Sequence, residues 1–217
     1  LCCKYIFYQP PIFANKKFML IAVLATDEQW NELLEDGNKD IFVRLHTLQD
    51  EVTADAYLVL DEQFIPVIDK KEKPVLVNAV IKTLTELKAS TNVLRINGWN
   101  GFVLRKTWET AGIVTDELKQ IFAAAGKHLT QVADEPGLVA VRSIAMIINE
   151  AYFALGEDVS TKEEIDIAMK LGTNYPYGPF EWADKIGVKN IYLLLMALQK
   201  TSNRYAPAPL LIKEATA

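Results

Sequence analysis

The chain has 217 residues, half of them hydrophobic, and a formal net charge of −5, which is enough length for one large domain or two modest ones around a conventional buried core. The acidic balance excludes a general nucleic-acid binder, because phosphate contacts need a basic surface. Its two cysteines, Cys2 and Cys3, are adjacent and poorly placed for a bridge, so no disulfide framework is expected and a reducing, cytoplasmic setting fits best.

The opening residues, LCCKYIFYQPPIFANKK, are interrupted by Pro10 and Pro11. They lack the basic start, unbroken apolar stretch and small-residue cleavage site of a signal peptide. With Met19 opening the first core strand, residues 1–18 read as an extension. The densest apolar runs, 18–25 and 191–198, are far too short to span a bilayer.

Residues 18–25, FMLIAVLA, predict a buried strand. TDEQWNELLEDG then predicts a helix with Thr26 as N-cap, acids in its first turn and Gly37 as its stop. Further strands are expected at 41–45, 56–60 and 74–77, a helix from about 81 to 87, and a strand at 93–96 that closes the set. Apolar strands alternating with helices predict a parallel sheet of Rossmann type. Beyond Trp108 the pattern is helical almost throughout: 115–125 ending at Gly126, a short strand at 129–132, then a long helix opened by Pro136 and Gly137 and ending near Gly156. Ser160 and Glu163 predict a capping box for a helix running to Leu171, with Gly172 as its stop, and final helices cover 188–200 and 209 onward. The long helix is apolar nearly all round, which suits either the centre of a helical domain or a subunit interface.

A Rossmann enzyme reaches a dinucleotide pyrophosphate through Gly-x-Gly-x-x-Gly after the first strand. The corresponding turn here is ATDEQW, which has no glycine and places Asp27 and Glu28 where the phosphates would lie. The second strand, IFVRLHTL, offers Arg44 and His46 in place of the acid that takes the ribose hydroxyls of NAD. Arg44 could accommodate a 2′-phosphate only if a glycine turn preceded it, and His46 reads as an ordinary strand-end histidine. No metal site is expected.

The block from Gly137 to Gly187, GLVAVRSIAMIINEAYFALGEDVSTKEEIDIAMKLGTNYPYGPFEWADKIG, resembles the C-terminal helical domain of 3-hydroxyacyl-CoA dehydrogenases. The resemblance implies α/β plus all-α architecture: a truncated Rossmann-like domain over 19–110, followed by a helical domain over 111–217 through which the chain forms a homodimer. It also implies fatty-acid metabolism, NAD as cofactor and an acyl-CoA or other small-molecule pocket between domains. The family's general-base His lies in a His-aromatic-aromatic-Asn-Pro motif, followed at a fixed interval by a Glu. The matching segment here is INGWNGFVLRKTWE. Asn97 falls on the His, Asn100 on the Asn, Gly101 on the Pro and Glu109 on the Glu, without a gap.

Val141, beside Arg142, aligns with the family's substrate-contacting Asn. Val80, anchored by Asn78, aligns with a Ser. A carboxamide accepts no proton at neutral pH, so the resemblance implies an impaired or lost dehydrogenase with NAD binding weak or absent. Two alternatives stand beside it: an active NAD-dependent 3-hydroxyacyl-CoA oxidoreductase, and a non-enzymatic dimeric scaffold. In NYPYGPFEWADKIG, Pro176, Gly178 and Pro179 shape a turn, Asp184 is expected to cap it and Gly187 to end the short helix.

Overall fold

A computed structural model describes residues 19–35, 39–47, 50, 52–67 and 73–217. The expected extension over 1–18 and the expected stop at Gly37 lie outside the described residues. Seven strands form one sheet: β1 (Ile21–Leu24), β2 (Phe42–Leu45), β3 (Ala56–Val59), β4 (Val75–Asn78), β5 (Val93–Ile96), β6 (Thr107–Ala111) and β7 (His128–Gln131). Their order is β2-β1-β3-β4-β5-β6-β7. The first five run parallel, β6 pairs antiparallel with β5, and β7 runs parallel to β6. Helices α1 (Asp27–Glu35) and α2 (Asp116–Ala124) accompany the sheet. The helical part comprises α3 (Ala140–Gly156), α4 (Lys162–Thr173), α5 (Pro179–Ile186), α6 (Val188–Gln199) and α7 (Pro209–Ala215). The fold is thus a shortened Rossmann-like sheet followed by helices.

β1, β3 and β4 are buried along their whole length, as parallel strands covered on both faces must be, which is why β1 and β3 read as unbroken apolar runs and β4 as one that ends at Asn78. The set does not close at β5. β6 escapes the hydrophobic pattern because its core residues alternate with polar ones: Trp108 is buried, Glu109 half-buried and Thr107 exposed. The strand at 128–131 joins the same sheet instead of standing among helices, and a boundary at 110 falls inside β6. Leu118, Ile121, Phe122 and Leu129 share an apolar cluster with Ile21, Leu58 and Leu76, so α2 and β7 pack on the sheet.

The helix expected over 81–87 is one turn only. Leu87 N–H reaches the Thr83 carbonyl at 3.0 Å, Leu84 N–H is taken by the Asp134 carboxylate at 2.9 Å, and Lys88 adopts φ of 51°. A left-handed residue stops helical propagation, and the segment has no apolar face wide enough to pull it onward.

The long helix begins at Ala140, later than Pro136 and Gly137 implied. Val139 at its N-cap supplies no side-chain bond. Instead the Glu109 carboxylate on β6 accepts from Val139 N–H at 2.9 Å and Ala140 N–H at 3.0 Å. Two of the unpaired first-turn donors are therefore satisfied from the sheet. Glu109 serves a helix start, but from within a strand and for a helix that begins thirty-one residues later.

α3 is the centre of the helical domain. Its Val141, Ile144, Ala145, Ile148 and Tyr152 are buried against Phe180, Trp182, Leu194, Leu195 and Leu211. The capping box of α4 is Thr161 with Glu164, one residue later than expected, and the helix passes through Gly172 to end on left-handed Asn174. The cap expected of Asp184 falls to Asp166 on α4, which accepts from Phe180 N–H at 2.8 Å and Glu181 N–H at 3.1 Å. Gly178 lies at φ −72°, within reach of any residue; what requires glycine is space, since a Cβ there would lie 2.3 Å from the Asp166 carboxyl. Asn149 of α3 fixes the approach to α7, donating to the Ala206 carbonyl at 2.9 Å and accepting from Ala208 N–H at 2.8 Å.

Candidate functional site

In open parallel sheets, ligands bind in the crevice beyond the carboxyl ends of the strands. Here that crevice is a cleft of about 360 Å³, bounded by Thr26, Leu60, Asn78 and Trp99 on the sheet side and by Ile186 and Asn190 of the helical part. A polar network of the chain's own groups spans its floor. Thr26 caps α1 as expected, accepting from Gln29 N–H at 3.3 Å, and Gln29 Oε1 accepts from Thr26 N–H at 3.1 Å. The buried Gln29 amide then donates to the Leu60 carbonyl and to the Gly98 carbonyl, both at 3.0 Å. Asn78 donates to Leu60 at 2.9 Å and accepts from Gly98 N–H at 2.8 Å. Gln29 and Asn78 thereby tie the ends of β3, β4 and β5 together.

The remaining groups are acidic. Glu28, Asp61 and Glu62 line the cleft, and among the described residues no Lys or Arg does. Burial is the main cause that pushes the Glu62 carboxyl above the ordinary 4.5, partly offset by the hydrogen bond it accepts from Trp99 Nε1 at 2.9 Å. Arg44 does not face a ligand: its Nη2 lies 2.5 Å from Asp27, and its guanidinium sits 5.6 Å from the Trp30 ring centre. His46 is exposed at the end of β2.

These residues do not fit a dinucleotide. The turn after β1 has side chains where the pyrophosphate needs bare backbone, a glutamine fills its approach, and three acids would repel the phosphates.

Asn97 follows β5 and is 7% exposed. Its Oδ1 accepts from Trp99 N–H at 3.1 Å, while its Nδ2 has no partner among the described residues. Asn100 stands half-buried at the cleft. Val141 and Val80 are 0% and 1% exposed and belong to one apolar cluster with Trp99. The structure therefore places Asn78 and Asn100 at one cleft and seals both valines in the core. Glu109 spends its carboxylate on the start of α3. Arg142 meets Tyr205 of the helical part, with Nε 3.0 Å from its hydroxyl.

Three polar anchors carry no signal in a hydrophobicity pattern. Arg95 is 0% exposed. It donates to the Ala79 carbonyl at 2.7 Å and the Val80 carbonyl at 3.0 Å, and pairs with Asp134. Lys127, also 0% exposed, donates to the Val103, Leu104 and Arg105 carbonyls at 2.9, 3.2 and 3.2 Å. Gln29 is the third. Arg95 leaves a trace as a charge inside an otherwise apolar strand, whereas Lys127, between α2 and β7, and Gln29, in the largely polar α1, leave none.

Residues 137–216 match the family described as 3-hydroxyacyl-CoA dehydrogenase, C-terminal domain. The chain is similar to a 3-hydroxyadipyl-CoA dehydrogenase of Escherichia coli (strain K12), 47% identical over 92 residues, which is 42% of this chain and 19% of that protein. It is also similar to a 3-hydroxybutyryl-CoA dehydrogenase of Clostridioides difficile, 28% identical over 187 residues, covering 80% of this chain and 64% of that one. The chain thus spans less than two thirds of the length of either relative. The solved structure of an (S)-3-hydroxybutyryl-CoA dehydrogenase from Ralstonia eutropha matches with a TM-score of 0.61 at 24% identity, over 79% of this chain and 69% of that chain. That likeness speaks to the fold.

Proposed function

Because the chain belongs to the 3-hydroxyacyl-CoA dehydrogenase family, we propose that it keeps that scaffold with its NAD-dependent dehydrogenase activity impaired or lost. The observation that carries this reading is the cleft at the carboxyl end of the sheet, bridged by the Gln29 amide and lined by Glu28, Asp61 and Glu62, with no cation among the described residues. A pyrophosphate there would meet negative charge and lose the backbone donors of a glycine turn. Asn97, where the resemblance places the general base, supports the same reading. An amide takes no proton from a substrate hydroxyl, and loss of a general base costs about two to four powers of ten in rate. The valines aligned with the family's polar substrate contacts lie in the apolar core.

A homodimer formed through the helical part belongs to this proposal by family analogy. Leu193 and Met196 of α6, at 42% and 39% exposure, are the apolar side chains such an interface would cover. The pocket left between sheet and helices suits a small uncharged or acyl-thioester group better than a dinucleotide.

The test is a fluorescence titration with NADH followed by an acetoacetyl-CoA reduction assay on the same preparation. No saturation at millimolar NADH and no turnover are expected. Saturable binding with measurable reduction would establish a working oxidoreductase instead.

A further inference from the structure

A second cavity, of about 510 Å³, opens at the amino-terminal end of α3 and shares no lining residue with the cleft described above. Two guanidiniums stand at it. Arg142 donates from Nε and Nη2 to the Tyr205 hydroxyl at 3.0 and 2.5 Å, and its guanidinium carbon lies 5.0 Å from the Tyr205 ring centre. The guanidinium of Arg204 lies 4.8 Å from the same ring centre. Neither arginine takes part in an ion pair among the described residues. Glu109, whose oxygens are bound to the Val139 and Ala140 amides, does not pair with either.

Two cations gathered on one buried tyrosine repel each other, and the ring's negative face is a weak counter-charge shared between them. An anion placed between them would relieve that repulsion and accept bidentate bonds, the geometry that planar guanidiniums favour. Arg142 leaves its Nη1 for such a ligand, and Arg204 is exposed, so both can turn toward it without breaking the Tyr205 contact. Ser143 donates its hydroxyl to the Val139 carbonyl at 3.1 Å, so the donors at the site are the arginines. Leu138 and Met146 supply an apolar wall beside them.

We propose that this cavity binds an organic anion, with a carboxylate or phosphate group held between Arg142 and Arg204 and a short apolar chain laid against Leu138 and Met146. The probes are hexanoate, hexyl phosphate and the neutral control hexanol, titrated calorimetrically into the full chain at low salt. Saturable binding of at least one anion is expected, weakening as salt rises, with no binding of hexanol; which anion binds assigns the group. Arg204→Gln, at an exposed side chain, should weaken binding at least about tenfold while leaving the thermal transition in place. Arg142→Gln should weaken it comparably but also lower the transition, because Tyr205 loses its partner. Absence of saturable binding by both anions, equal binding of hexanol, or affinity kept within about twofold in Arg204→Gln would overturn the proposal.

Discussion

Replacing Arg95 by Met tests how the sheet is joined to the helical part. Arg95 lies at the middle of β5 with no exposed surface, and its guanidinium holds the Ala79 and Val80 carbonyls and the Asp134 carboxylate at once. Burial lowers its pKa, and the Asp134 carboxylate opposes that shift, so the pair depends on both charges being present. Met preserves most of the stem volume, which leaves lost polar contacts as the main cost. Removing one partner of a buried ion pair destabilises by about 3–5 kcal/mol, chiefly through the charge left behind.

The Asp134 side chain is 29% exposed and keeps Leu84 N–H at 2.9 Å, and the Val80 carbonyl keeps Gly137 N–H at 2.8 Å. Partial rehydration and these remaining bonds place the expected loss at the low end, about 3 kcal/mol. Urea unfolding followed by circular dichroism reads this as a midpoint lower by about 1–1.5 M at an unchanged slope of about 2–3 kcal/mol per M. The residues on either side of Asp134 lead into α3, so faster amide exchange at the start of α3 should accompany it. A loss under about 1 kcal/mol would refute the reasoning, since it would make this guanidinium worth no more than a surface pair.

Two further outcomes follow from local geometry. Burial is the leading cause that raises the Glu32 carboxyl above 4.5, ahead of the lowering hydrogen bond from Leu104 N–H. A raised carboxyl favours the protonated fold, so its stabilising contribution is present below the unfolded value of 4.5 and is lost as pH rises through the folded value. Glu32→Gln should therefore be more stable than the parent near pH 7, with the difference vanishing below about pH 4 in thermal scans; a difference independent of pH would contradict this. Gly178→Ala should cost about 1–2 kcal/mol or more by denaturant titration, because a Cβ at 2.3 Å displaces the Asp166 carboxylate from the start of α5. Adding Asp166→Ala should then cost less than the sum of the two single changes, and strict additivity would rule the clash out.

The legible parts of the fold were those whose residues all face the same environment. β1 and β3 are apolar along their length, and β4 and β5 at every position but Asn78 and Arg95, because both sheet faces are covered, and Thr26 and Thr115 announce their helices through local bonds to N–H groups a few residues away. Failures occurred where a local preference was decided from far along the chain. Glu109 aligns in the sequence with the family's Glu, yet it sits in a strand between β5 and β7 and binds the start of a helix thirty-one residues on. The turn at 81–87 has helix-forming residues but loses an amide to Asp134, fifty residues away.

The candidate site divides in the same way. Missing glycines and the acids after β1 are visible in one dimension, because what they exclude depends only on side chains next to the backbone. Gln29 reaching two carbonyls, and Val80 meeting Val141 in one core, are visible only once the strands are laid side by side. By itself the order of residues determined that a parallel sheet precedes a helical bundle, through apolar periodicity and capping that act over a few positions. Tertiary structure alone decided where the buried charges and amides find partners, because a hydrogen bond joins groups by distance in space and is indifferent to the length of chain between them.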